Sequence, residues 1–207
     1  MVVTDDLAGV AVERIVSICP GSIALAGGST PRLVYERLAA APLPWAEMHL
    51  FFGDERCVAA DHPAANYRMV REALLNKVET RVHRMPGESC DAGAYEAELA
   101  TVFGAGLPRF DLILLGLGAD GHTASLFCGD PALEERERYV VRVNRPDHAR
   151  LTLTLPVLSA GQEVVFLVSG ASKREALARL LAGADIPAAR IDAERVMVIA
   201  DRAAAGS

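Results

Sequence analysis

The sequence is poor in several things that would each have fixed a class of protein. Aromatic residues are only 5% of the 207, so any core must be aliphatic. Positive charge is in deficit, with 21 Lys and Arg against 27 Asp and Glu and a net charge of -6. That balance argues against nucleic acid as a partner, because backbone phosphates are held by a basic face. Any anionic ligand must therefore be caught by a local site. No apolar run approaches the roughly 18 residues of a membrane span, and Asp5 and Asp6 stand where a signal peptide carries Lys or Arg. The expectation is a cytoplasmic protein with no membrane partner. Cys19, Cys57, Cys90 and Cys128 form no CxxC pair, and are expected to be small buried apolar residues or incidental thiols. His49, His62, His83, His122 and His148 form neither HxH nor HxxxH, so no metal site is spelled out locally and no cofactor is expected. Repeats, low-complexity tracts and long linkers are absent too.

What is present is a compact composition, 51% hydrophobic and 23% charged, in a length that suits a single domain over 1–207. Short apolar runs alternate with helical periods from end to end. Residues 4–19 have helical spacing in Leu7, Val10, Ala11, Ile15 and Ile18. Residues 22–26 read as a strand running into Gly27-Gly28, after which Thr30 can cap a helix with Pro31 at its first position and Leu33, Val34 and Leu38 on one face. Strands are expected at 49–52, 110–115, 139–143, 151–155, 163–168 and 195–200, and helices at 65–76, 92–103 and 172–181. Strand-loop-helix units in this rhythm point to an α/β domain with a mainly parallel sheet. Ligands in such folds sit at the carboxyl ends of strands.

Four strand ends carry glycine-rich or strongly polar segments. Gly27, Gly28, Ser29 and Thr30 have the parts of an anion site at a helix N-terminus, although Ser-Thr-Pro also simply starts helices. Asp54, Glu55 and Arg56 concentrate charge directly after an apolar strand. Arg56 can fork onto a phosphate or carboxylate and Asp54 can hold a sugar hydroxyl or position Arg56, the plain alternative being a structural ion pair. The run from Gly116 to Gly121 matches GxGxxG, but Gly129-Asp130-Pro131 breaks the following helix too early for a dinucleotide site. The notable part is Asp120 two residues before His122 on a glycine hinge, a carboxylate able to orient an imidazole. Lys173 follows Ser169-Gly170 near a helix start and can add charge to the same anion, or remain a solvated lysine.

Together, in this order and spacing, the four segments resemble the glucosamine-6-phosphate isomerase/6-phosphogluconolactonase family, and within it the lactonases. The resemblance rests on residues 24–31, 52–56 with Asn66-Tyr67, 110–126, 151–156 and 169–173. It implies a Rossmann-like three-layer α/β/α sandwich of the sugar-phosphate isomerase/deaminase type. It implies hydrolysis of 6-phospho-D-glucono-1,5-lactone, a sugar-phosphate substrate, with His122 as general base oriented by Asp120. Gly27, Gly28, Ser29, Thr30, Asp54, Arg56 and Lys173 then surround the substrate, and Arg190 is a further contact. The chain departs from the family pattern at Cys128, where a proline is usual, at Ala65, where a serine often precedes Asn66, and over residues 145–148. A deaminase of the same family calls for Ile-Ala-Phe-Asn-Glu after the histidine, where this chain has Thr123-Ala124-Ser125-Leu126-Phe127. A non-catalytic sugar-phosphate sensor has no need of Asp120 beside His122. The oligomeric expectation is a monomer or weak dimer.

Overall fold

A computed structural model describes residues 1–206. The chain opens with a short strand, β1 (Val2–Thr4), over residues to which the sequence pattern assigns no element except at Thr4, the first of the helical spacing over 4–19. Asp6 then accepts the Gly9 N–H and starts α1 (Leu7–Ile18), whose buried stripe is Leu7, Ala8, Ala11 and Ile15. The helix stops at Cys19, in the left-handed conformation. Next come β2 (Ser22–Leu25), buried at every position, and α2 (Ser29–Leu38). The expected Thr30 cap is not found: α2 begins at Ser29, two residues before Pro31, behind Gly28 and with no side-chain cap, and Leu33 is exposed while Val34, Tyr35 and Leu38 are buried.

The chain continues through β3 (His49–Phe52), β4 (Asp54–Arg56), α3 (Asn66–Val70) with a π-helical extension over Arg71–Leu75, β5 (Arg81–Val82), α4 (Ala92–Phe103) and β6 (Leu112–Gly116). It ends with β7 (Val140–Val143), β8 (Arg150–Leu153), α5 (Leu155–Ser159), β9 (Glu163–Val168), α6 (Arg174–Leu181), β10 (Val196–Asp201) and α7 (Arg202–Ala205). Seven strands form one sheet in the order β1-β10-β9-β6-β2-β3-β5. Every pairing in it is parallel. All six residues of β9 are buried, as are all four of β2, so alternate side chains are covered on both faces and helices sandwich the sheet.

The expected strands near 139–143 and 151–155 do form, but outside this sheet. They make a small antiparallel sheet, β4-β8-β7, and the second ends at Leu153, where Leu155-Pro156 opens α5. Its third strand, β4, is the charged segment that read as a loop.

The cysteine expectation is corrected. Cys57 and Cys90 form a disulfide with Cα atoms 5.1 Å apart, while Cys19 and Cys128 are free and exposed. No helix among the described residues is long and apolar enough to cross a membrane.

Candidate active site

Sheet order locates the site before any side chain is considered. From β2 the chain moves outward to β3 and β5, then returns to β6 on the other side of β2 and moves outward again to β9 and β10. The strand order reverses between β2 and β6, and the crevice at such a reversal is where open α/β sheets bind ligands. The loops leaving β2 and β6 are Ala26-Gly27-Gly28 and Leu117-Gly118, and both line a cleft of about 230 Å³. Ser29, Thr30, Asp54, Arg56, His122 and Lys173 line the same cleft, so segments from four strand ends meet in one place.

The first wall is an anion receptor in form. Gly28 has φ 107°, a conformation that favours glycine, and turns the chain into α2 with its first N–H groups uncapped. Ser29 and Thr30, which carry those groups, line the cleft at the positive end of the helix dipole. The buried Tyr35 hydroxyl holds the approach, donating to Ala26 O and accepting from Ala26 N, each at 2.9 Å.

The opposite wall carries the imidazole. Gly118 N–H donates to His122 O at 2.8 Å and Gly121 N–H to Gly118 O at 3.0 Å, closing a tight loop. Thr123 Oγ1 donates to Gly116 O at 2.8 Å and fixes the loop to the end of β6. Asp120 Oδ1 lies 2.6 Å from His122 Nδ1 and also accepts the His122 backbone N–H at 3.2 Å. Burial acts to raise the Asp120 carboxyl, but hydrogen bonds from the His122 backbone and ring outweigh it and hold the group below the usual carboxylate range. An ionised acceptor at Nδ1 places the ring proton there and leaves Nε2 with its lone pair free. Phe127 packs on the ring, centroid to centroid 4.6 Å.

The third wall is the antiparallel sheet. Arg56 Nη1 donates to Asn66 Oδ1 at 2.5 Å and to Ala64 O at 3.1 Å. Buried Asp54 accepts from Ser125 Oγ at 2.6 Å and from Asn66 Nδ2 at 3.1 Å, so the structure gives it a positioning arrangement and both oxygens are engaged within the protein. Glu55, also buried, accepts the backbone N–H groups of Arg56, Asn66 and Tyr67, each at 2.7 Å, and so ties β4 to the start of α3. Burial pushes its carboxyl up to about 7 against the pull of those three donors.

Two positions differ from sequence expectation. Arg190 does not line the cleft; it sits in a separate hollow of about 270 Å³ and pairs with Glu134 at 2.8 Å. Arg150, passed over as the residue before an alternating strand, does line it. Its Nη2 donates to Asp147 at 2.7 Å while its buried Nε has no hydrogen-bond partner among the described residues. The only sequence signal was a charge placed directly before the strand pattern Leu151-Thr152-Leu153. With Arg56, Arg150 and Lys173, three cations meet the α2 N-terminus in a chain of net charge -6. No group of three His, Cys, Asp or Glu among the described residues is arranged to hold a metal ion.

Fold and cleft together define an α/β protein with a crevice at its switch point, lined by three cations and a helix N-terminus, and an oriented imidazole on the rim. The family model for glucosamine-6-phosphate isomerases/6-phosphogluconolactonase matches residues 3–199, and the chain belongs to that family. A 6-phosphogluconolactonase of Synechocystis sp. is 49% identical over 172 residues, covering 78% of this chain and 72% of that protein. The structure of 6-phosphogluconolactonase from Trypanosoma cruzi superposes with a TM-score of 0.88 at 31% identity, covering 100% of this chain and 95% of the other. A monomeric glucosamine-6-phosphate deaminase shares the fold, with a TM-score of 0.82 at 22% identity over 100% of this chain and 99% of its own.

Proposed function

We propose that the chain hydrolyses 6-phospho-D-glucono-1,5-lactone to 6-phosphogluconate, the second step of the oxidative pentose phosphate pathway. The observation that carries this reading is the His122–Asp120 pair on the rim of a cleft whose other walls hold three cations and a helix N-terminus. The identity of the lactonase relatives supports the same substrate.

In the proposed mechanism the phosphate lies against the N–H groups of Ser29 and Thr30, with Lys173, Arg56 and Arg150 neutralising its charge. A water molecule donates its proton to His122 Nε2 while its oxygen attacks the lactone carbonyl carbon. Asp120 holds the Nδ1 proton and stabilises the imidazolium that forms. The tetrahedral oxyanion collapses, the bond from carbon to ring oxygen breaks, and that oxygen takes the proton back from His122. The acid product then ionises to a carboxylate. General-base help of this kind is worth about 10²–10⁴-fold, which suffices for an activated ester that already hydrolyses slowly in water.

The test is hydrolysis of freshly generated lactone, with and without chelator, against His122→Ala and Arg56→Ala. His122→Ala should lose at least about 100-fold in kcat while still binding 6-phosphogluconate, and Arg56→Ala should mainly raise KM. Full activity in the His122 variant, or its abolition by chelator in the wild type, refutes the mechanism. Turnover of glucosamine 6-phosphate instead of the lactone would assign the chain to the other branch of its family.

A further inference from the structure

We propose that Ser125 is a positioning residue for Arg56, acting through Asp54 and Asn66, so that the loop bearing the imidazole and the strand bearing the cation are fixed to each other by one buried bridge. Ser125 stands three residues beyond His122 and is fully buried. Its N–H donates to Thr152 Oγ1 at 3.2 Å and its hydroxyl to Asp54 Oδ2 at 2.6 Å. Asp54 Oδ1 and its backbone carbonyl accept both amide protons of Asn66, at 3.1 and 2.9 Å. That leaves Asn66 Oδ1 with one orientation, facing Arg56 Nη1 at 2.5 Å.

Each member dictates the next. A carboxylate can only accept, so the Ser125 hydroxyl and the Asn66 amide must both donate to it, and the amide oxygen must then point the other way. Ser125, Asp54 and Asn66 are all less than 10% exposed, so water is a poor substitute for a lost partner. The bridge also reaches the anion wall: a side chain on Gly27 would run into the Asn66 amide, so that loop rests directly on it. Removing the Ser125 hydroxyl frees one oxygen of Asp54 and, with it, the orientation of the Asn66 amide. The guanidinium two links away then loses its fixed direction.

The lactonase reading enters only in the task given to Arg56, and the experiment has a readout that needs no turnover. The Arg56 Nε–Hε NMR signal, assigned by its loss in Arg56→Lys, should be distinct in the wild type and move toward the averaged position of free arginines in Ser125→Ala and in Asn66→Ala. Affinity for inorganic phosphate, measured by titration calorimetry, should fall about tenfold in Ser125→Ala, the weight of one charge-assisted hydrogen bond. In an Arg56→Ala background the same change should alter affinity less than twofold, since nothing remains to be positioned. Asn66→Ala, which acts one link closer, serves if Ser125→Ala does not fold. An unmoved Arg56 signal, or an equal loss of affinity in both backgrounds, overturns the proposal and leaves Ser125 a packing residue. A normal Arg56 response in a protein that does not open the lactone counts against the functional reading alone.

Discussion

At the scale of single residues, the site depends as much on missing side chains as on present ones. A methyl group on Gly118 would be driven into the His122 ring and the Asp120 carboxylate. Gly118→Ala should therefore displace the imidazole, lowering kcat on the lactone by about 100-fold, as an error of about 1 Å in a reacting group can. Because Gly118 is not in the left-handed region, the melting temperature should change far less than activity. Comparison of kcat with the thermal midpoint checks this, and a parallel fall in both would show that the loop is needed for folding. His122, Asp120, Arg56 and Lys173 were legible because each is a functional group in a glycine-rich or strongly polar segment that follows an apolar run. Ser125 and Asn66 were not, since a small polar residue looks the same whether it faces water or a buried carboxylate. Arg150 was missed because it stands one residue before the strand read over 151–155, where a lone charge carries no pattern.

At the scale of elements, helical periods and fully apolar strands were legible from their spacing, as α1, α4, β6 and β9 show. The small antiparallel sheet was not, because β4 is three polar residues whose burial follows from partners far along the chain. The Cys57–Cys90 bridge spans 33 residues, a separation that carries no local signal. The edge of the parallel sheet holds a titratable device. Arg81 Nη1 donates to His49 Nε2 at 3.0 Å, His49 Nδ1 faces His83 Nε2 at 2.8 Å, and His83 Nδ1 faces Glu98 at 2.6 Å. The chain runs in one direction only while both rings are neutral. Burial first, then His83 and Arg81, hold His49 below its ordinary value. Between the unfolded value near 6.5 and that lower one, the unfolded chain binds a proton the folded chain refuses, so this contribution to stability is lost as pH falls. Glu55, raised to about 7 by burial, acts in the opposite sense over the same interval. The comparison that isolates the histidine is wild type against His49→Gln in denaturant melts from pH 7 to 5. The wild type should lose more of its midpoint over that range, and parallel curves would exclude His49 as the cause.

At the scale of the whole molecule, the order of strands was open in the sequence even where each strand was visible, because parallel neighbours are chosen by crossovers that leave no composition signal. The position of β1 is the clearest case. Its three residues pair with Ile199, Ala200 and Asp201 of β10, and Arg202 reaches Asp5 at 2.7 Å. Residues 2–5 and 199–202 are therefore neighbours on one sheet edge, remote in the chain and adjacent in space. A connector of about ten glycine and serine residues, with a reach of roughly 17 Å, should splice them, and new ends can be opened in the exposed turn at Gly104 to Gly106. Such a circularly permuted protein should melt as one cooperative unit and retain lactone turnover within a few-fold. If it does, the crevice is the property of a layered arrangement and not of the direction in which the ribosome happens to thread it.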